Sequence, residues 1–232
     1  MLHAYCIRGS GDPNPAPELI GVGGAPVRSL VSGNLAIWVS TSVGAPATAE
    51  SLRQHEGVVR SALRSATPLP LRFGALFTDD TMACKTLVLR HEEFERQLAR
   101  FADQVEMGIR IARVGPPDLQ DSEVDRTARG DPALRSPGRA YLEARKRDAV
   151  SESTRRQRIE ASMARVEAQL AELELPTVRT ILAGDPPIGS VAHLVQRAQL
   201  SPYRRRVADL QERNPDLLIT ASGPWAPYSF VE

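Results

Sequence analysis

The stretch Val27-Arg28-Ser29-Leu30-Val31-Ser32-Gly33-Asn34-Leu35-Ala36-Ile37-Trp38-Val39-Ser40 decides how the first half of the chain folds. Two short runs of β-forming residues, Val27 to Val31 and Leu35 to Ser40, flank Ser32-Gly33-Asn34. A Gly-Asn pair between such runs is a hairpin signal, because glycine reaches the turn conformation without steric cost. Upstream, Leu2 to Ile7 reads as a first strand, followed by a Pro- and Gly-rich loop up to Pro26. Downstream, Leu52, His55, Val58, Val59, Ala62 and Leu63 recur at steps of three and four, which predicts an amphipathic helix over Thr48 to Ser65.

Thr67-Pro68-Leu69-Pro70 cannot be helical and reads as an edge or entry segment, with an extended run from Leu71 to Phe77. Asp79-Asp80-Thr81 caps a helix running to about Gln104, with a break near His91. Val105, Met107, Ile109 and Ile111 then alternate as a half-buried strand, with Glu106 and Arg110 expected to face outward. The first 114 residues therefore read β, β-hairpin, α, β, α, β, a broadly ferredoxin-like domain with two helices on one sheet face.

Gly115 to Pro137 carries Gly-Pro-Pro at one end, Ser136-Pro137-Gly138 at the other and few apolar residues between, the composition of a linker or long surface loop. From Arg139 to about Leu175 the chain turns helical. Ile159, Met163, Val166, Leu170 and Leu173 form a seam at heptad spacing, ended by Pro176. The seam spans only about two heptads, which favours packing inside the fold over a long coiled coil. Strands at Val178 to Leu182, Ser190 to Val195 and Leu217 to Ala221, a helix capped by Ser201-Pro202, and a last extended segment Tyr228 to Val231 complete an α+β second domain. The expected division is 1–114, a linker at 115–137, and 138–232.

Composition narrows the function. Of 232 residues, 42% are hydrophobic, 25% charged and only 5% aromatic, so aliphatic side chains must fill the core. A net charge of +1 gives no long-range pull toward nucleic acid or anionic membrane. Cys6 and Cys84 are too few for a disulfide framework or zinc site and read as half-buried free thiols. No signal peptide precedes the first strand, and no apolar run approaches the ~18 residues that span a bilayer, so a cytoplasmic location is expected.

No residue pattern assembles an active site. The four histidines, at 3, 55, 91 and 193, lie in no nucleophile context. His55-Glu56 opens a zinc-hydrolase-like pattern, but Val59 stands where the second ligand belongs. Gly21-Val22-Gly23-Gly24-Ala25-Pro26 lacks the third glycine and the following helix of a nucleotide loop. RNA binding would need aromatic platforms, and the matching strands carry Leu35, Val39 and Ile111 with Trp38 alone. Arg145-Lys146-Arg147, Arg155-Arg156 and Arg158 are interspersed with Glu143, Asp148, Glu152 and Glu160, the signature of a solvated helix face and, second, of a docking surface for an acidic partner.

Four segments carry a resemblance. Leu52-Arg53-Gln54-His55-Glu56-Gly57-Val58-Val59, Leu69-Pro70-Leu71-Arg72-Phe73-Gly74, Gly138-Arg139-Ala140-Tyr141-Leu142 and the closing Leu217 to Val231 with its Gly223-Pro224-Trp225-Ala226-Pro227-Tyr228 core together resemble the gas vesicle protein F/L family. The order is collinear over nearly the whole chain. The resemblance implies a ferredoxin-like first domain, an α+β second domain with long helices, and a role in assembling gas vesicles. It further implies binding to the hydrophobic shell protein and to other accessory proteins, a place on the gas-facing side of the vesicle, and no enzymatic activity, catalytic residue, metal or cofactor.

Two surfaces qualify for that binding: the hairpin edge at Leu35 to Ser40 and the seam side of Ile159 to Leu173, although apolar seams more often pack within the fold. The competing reading is a small-molecule enzyme using Arg72, His55 and Glu56 in a cleft between domains. Arg72 beside Phe73 reads better as an ion-pairing or stacking residue. Gly74 reads as a bulge or a close helix contact, and Trp225 and Tyr228 as packing rings.

Overall fold

The computed structural model describes residues 1–42, 44, 46–114, 137–184 and 186–231. The class is α+β, with two antiparallel sheets and five α-helices among the described residues. The chain divides into two compact units. Unit 1 holds Met1–Met107, His193–Leu200 and Gly223–Glu232; unit 2 holds Gly108–Ala192 and Ser201–Ser222. A consecutive division at 114 and 138 does not coincide with these units, because 193–200 and 223–232 belong to unit 1 and 108–114 to unit 2. The linker expected at 115–137 lies outside the described residues except for Pro137, which already begins a helix.

Unit 1 is organised around β1 (Leu2–Gly9), which pairs antiparallel with β3 (Leu35–Thr41). The hairpin forms as expected: β2 (Arg28–Ser32) pairs with β3, and Ser32 faces Leu35 across the two-residue turn. Gly33 takes φ +61 there and Asn34 does not, which is the II′ pattern. α1 (Ala49–Leu63) starts at Thr48, whose hydroxyl accepts from Ser51 N while Ser51 Oγ accepts from Thr48 N.

On the far side of β1 lie β4 (Leu69–Pro70) and β5 (Leu76–Phe77). The extended run expected from Leu71 to Phe77 is thus broken. Arg72 to Gly74 loop out between Leu71 and Ala75, which still bond to Tyr5 and Ala4 of β1, the register along β1 advances by three residues, and Ala75 N closes a turn onto Arg72 O at 3.1 Å. Gly74 sits in this irregularity, with open space where a close helix contact was the other expectation. α2 (Asp80–Leu89), capped by Asp79, and α3 (His91–Arg100) meet at Arg90, next to His91, near which the sequence predicts the break.

Alternation in β3 buries both sets of side chains, Leu35, Ile37 and Val39 as well as Ala36, Trp38 and Ser40, so the sheet interior has cover on both faces. Trp38, Tyr5 and Cys6 join Val58, Val59 and Ala62 of α1 in one cluster that also takes in Val105 and Ala226. Cys6 is fully buried and its thiol is pushed up to about 12 by desolvation, so it is inert; Cys84 alone is half-buried.

β6 (Gln104–Arg113) does not join this sheet. It pairs in a second one of order β7-β8-β6-β9, with β7 (Thr177–Leu182), β8 (Ile188–Gln196) and β9 (Leu217–Trp225). In unit 2, α4 (Pro137–Ala168) buries Ile159, Met163, Val166 and, just beyond its end, Leu170, each at 4% exposure or less. Four such side chains are worth about 1.5–3 kcal/mol each, so the seam is core rather than a free surface. α5 (Leu200–Arg213) begins one residue before Ser201, following a 3-10 turn at Arg197–Gln199, so Ser201 lies in its first turn and is not its cap. Residues 227–230 form a turn, not the extended segment expected at Tyr228 to Val231.

Candidate functional site

Of the residues of unit 1 that sequence reasoning weighed as catalytic, His55 is committed to holding the fold. His55 Nε2 lies 2.9 Å from the carbonyl oxygen of Leu71, which can only accept, so that nitrogen carries the proton. Its Nδ1 therefore accepts, and His3 Nε2 donates to it across 2.9 Å. Tyr5 and Phe73 complete a ring cluster around the pair, with centroids 4.9 to 5.8 Å apart. His3 is lowered to about 4 by burial and then by His55; His55 is lowered by burial against the opposing pull of Leu71. Both nitrogens of His55 are used internally, and the imidazole is neutral.

Glu56 points elsewhere, with Oε1 3.7 Å from Arg60 Nη2. Burial raises its carboxyl, which Arg60 and Tyr228 partly counter. Arg72 is exposed, and among the described residues its guanidinium meets neither a carboxylate nor a ring, so the expected ion-pair or stacking role falls to other arginines. Arg60 lies over Trp225 at 4.7 Å. Arg8, 1% exposed, lies over Trp38 at 4.8 Å, pairs with Asp12 at 3.4 Å and donates to Ser65 Oγ and Pro13 O. The glycine loop at 21–26 also serves packing: Val22 N donates to Tyr5 Oη at 2.8 Å, and a Cβ on Gly21 would sit 2.0 Å from that oxygen.

Sequence reading missed three polar anchors. Glu106, expected outside, is 9% exposed and accepts from both the backbone N and the Oγ of Ser229, at 2.7 and 2.8 Å. Burial raises its carboxyl, and the two Ser229 contacts act in the opposite direction. Its partner lies 123 residues away, so alternation along the strand carries no trace of it. Arg197 donates to Leu63 O and tethers 193–200 within unit 1. In unit 2, the side-chain amide of Gln211 acts as a one-residue strand against β9: Ile219 N donates to its Oε1 and its Nε2 donates to Leu217 O, both at 2.8 Å.

The binding surfaces proposed from sequence are also redistributed. Leu35 to Ser40 is an interior strand covered by β2, so the true edge of that sheet is β2 itself. Among the described residues nothing bonds its outer backbone groups. α2 packs on β2 and leaves Met82, Val88 and Leu89 exposed by 44, 62 and 73%, while Val31 on the edge strand is 55% exposed. Exposed apolar side chains beside an open strand edge are what strand addition and helix docking use in proteins generally. No helix among the described residues is long and apolar enough to cross a membrane.

What unit 1 presents, then, is an α+β scaffold whose buried polar groups bind its own segments and whose apolar side chains line one exposed helix. Over residues 1–232 the sequence matches the family of gas vesicle synthesis protein GvpL/GvpF, and the chain belongs to that family. It is 31% identical to gas vesicle protein L of a Streptomyces species over 91% of this chain and 85% of that one. It is 27% identical to gas vesicle protein F of the same species, over 99% of both. Crystal structures of gas vesicle protein GvpF from Microcystis aeruginosa and from an Anabaena species share the fold, with TM-scores of 0.69 and 0.73 at 19 and 20% identity, each covering 100% of this chain and 98% of the other.

Proposed function

We propose that this chain serves gas vesicle assembly in the cytoplasm as a non-enzymatic binding protein, holding the hydrophobic shell protein and meeting other accessory proteins. The observation that carries the reading is the surface formed by α2 and the open edge of β2, with Val31, Met82, Val88 and Leu89 exposed. A shell subunit that keeps water from a gas space must expose a broad apolar face, which in solution drives aggregation. An apolar helix face can shield such a surface, and an open edge can take one of its strands by backbone pairing.

Light scattering of refolding shell protein tests this. Near-stoichiometric amounts of the chain should suppress aggregation, and Val88→Asp with Leu89→Asp should remove most of that effect while leaving the fold intact, since both side chains are exposed. Indifference of the shell protein to the wild-type chain would overturn the proposal.

A further inference from the structure

We propose that the outer edge of β7 and the groove beside it in unit 2 receive an extended segment of another protein, one that carries a lysine or arginine directed at Glu167. The groove, of about 380 Å³, runs between α4 and β7 and is lined by Arg156, Glu160, Met163 and Glu167 on the helix and by Arg179 and Ile181 on the strand. All of these residues belong to unit 2, so the site stands independently of the α2 surface.

Backbone geometry and one unpaired carboxylate oxygen both point to such a guest. The second sheet has two edge strands, and they are treated differently. β9 is closed by Gln211, whose amide occupies the groups a neighbouring strand would use. β7, with the sequence Thr-Val-Arg-Thr-Ile-Leu, is the more β-prone of the pair, and among the described residues nothing bonds its outer N–H and C=O groups. An uncovered edge rich in β-branched residues is a template for strand addition unless it is blocked.

The second observation is Glu167. Its side chain is only 11% exposed, and Oε1 accepts from Arg179 Nε at 2.6 Å. Oε2 is buried, with no hydrogen-bond partner among the described residues, on a residue that lines the groove. A buried carboxylate oxygen left unpaired is costly, and a cationic side chain entering the groove would satisfy it. Arg156 and Glu160 pair with each other at 3.4 Å and Arg179 holds Oε1, which leaves Glu167 Oε2 as the unpaired carboxylate oxygen beside the groove. Backbone pairing along β7 would supply affinity and register, and Glu167 would select the basic residue.

Fluorescence anisotropy with synthetic hexapeptides tests the assignment. The probe alternates valine and threonine around one central lysine; the controls carry glutamate at the centre or N-methyl groups on alternate backbone amides. The lysine peptide should bind saturably and at least about 10-fold tighter than the glutamate peptide, and N-methylation should abolish binding. Glu167→Gln, which keeps shape and removes charge, should shrink that preference to under about 3-fold. Thr180→Pro should eliminate binding of either peptide, and circular dichroism establishes whether that variant is folded. No saturable binding up to ~1 mM, or equal binding of the lysine and glutamate peptides, overturns the proposal. So does a concentration-dependent dimer that disappears in folded Thr180→Pro, because the occupant would then be a second copy of this chain.

Discussion

His3 and His55 share a single hydrogen bond, Nε2 to Nδ1 at 2.9 Å, inside a ring cluster that leaves His3 2% exposed and His55 4% exposed. The bond requires His55 Nδ1 to stay unprotonated, and two cations at that distance in a buried site would repel strongly. The arrangement ties acidity to stability.

Folded His3 titrates at about 4, whereas an unfolded histidine does so near 6.5. Between those values the unfolded chain binds more protons than the folded one, so stability is full above about pH 6.5 and is lost as pH falls toward 4. His55 and His193, also lowered by burial, act in the same direction. Glu56 and Glu106 are raised and act oppositely, holding protons in the fold that the unfolded chain has released. His3 alone accounts for roughly 3 kcal/mol across the window. Urea unfolding at pH 7 and pH 5 should show a clear drop in midpoint for the wild type and a shallower one for His3→Phe. Parallel pH profiles would refute the assignment.

Gly21→Ala should cost about 2–4 kcal/mol, since the added methyl meets Tyr5 Oη and must break its bonds to Val22 N and Ser40 Oγ. In a Tyr5→Phe background the same change should cost measurably less, because the oxygen in its way is gone. Denaturant midpoints of the four proteins check this double-mutant cycle. Equal costs in both backgrounds would mean the clash is relieved by backbone movement instead.

Removing Glu106 frees the segment it holds. Glu106→Ala should expose Trp225, Tyr228 and Phe230 to a protease that cuts after aromatic residues, with a stability loss of about 1–3 kcal/mol. Arg110→Ala, on the same strand but exposed, should leave the digestion rate unchanged. Equal digestion of the two variants would show that ring packing, rather than the carboxylate, retains the segment.

Gln211→Ala should open the β9 edge. The loss of two hydrogen bonds predicts about 1 kcal/mol of destabilisation and new concentration-dependent association. Multi-angle light scattering measures the second effect directly; a variant that stays in the wild-type state at all concentrations would show that the edge is protected by something else.

What could be read in advance followed the range of the interactions. The hairpin at Gly33-Asn34, the helix beginning around Thr48, the break near His91 and the α4 seam all depend on residues within a few turns of one another, and each has a local signature. Strand pairing is different. Val105, Met107, Ile109 and Ile111 show that Gln104–Arg113 is a strand buried on at least one face, but nothing in their spacing says which sheet it joins. The same limit made Leu35 to Ser40 look like an edge, since an interior strand and an edge strand can both be rich in β-formers. Polar anchors were least visible. Glu106 alternates like an outward residue because its partner arrives from position 229, and Gln211 sits on a helix in a pattern any solvated glutamine would satisfy.

The make-up of unit 1 has a consequence for biosynthesis. Its polypeptide comes from both ends of the sequence, with Ala226 seated in the same cluster as Tyr5 and Val59. At ~5–20 residues per second, a ribosome needs on the order of ten seconds between releasing the first stretch and delivering the stretch that completes it. During that interval Tyr5, Trp38 and Val105 lack part of their cover, so nascent chains should recruit general holdase chaperones until the final stretch emerges.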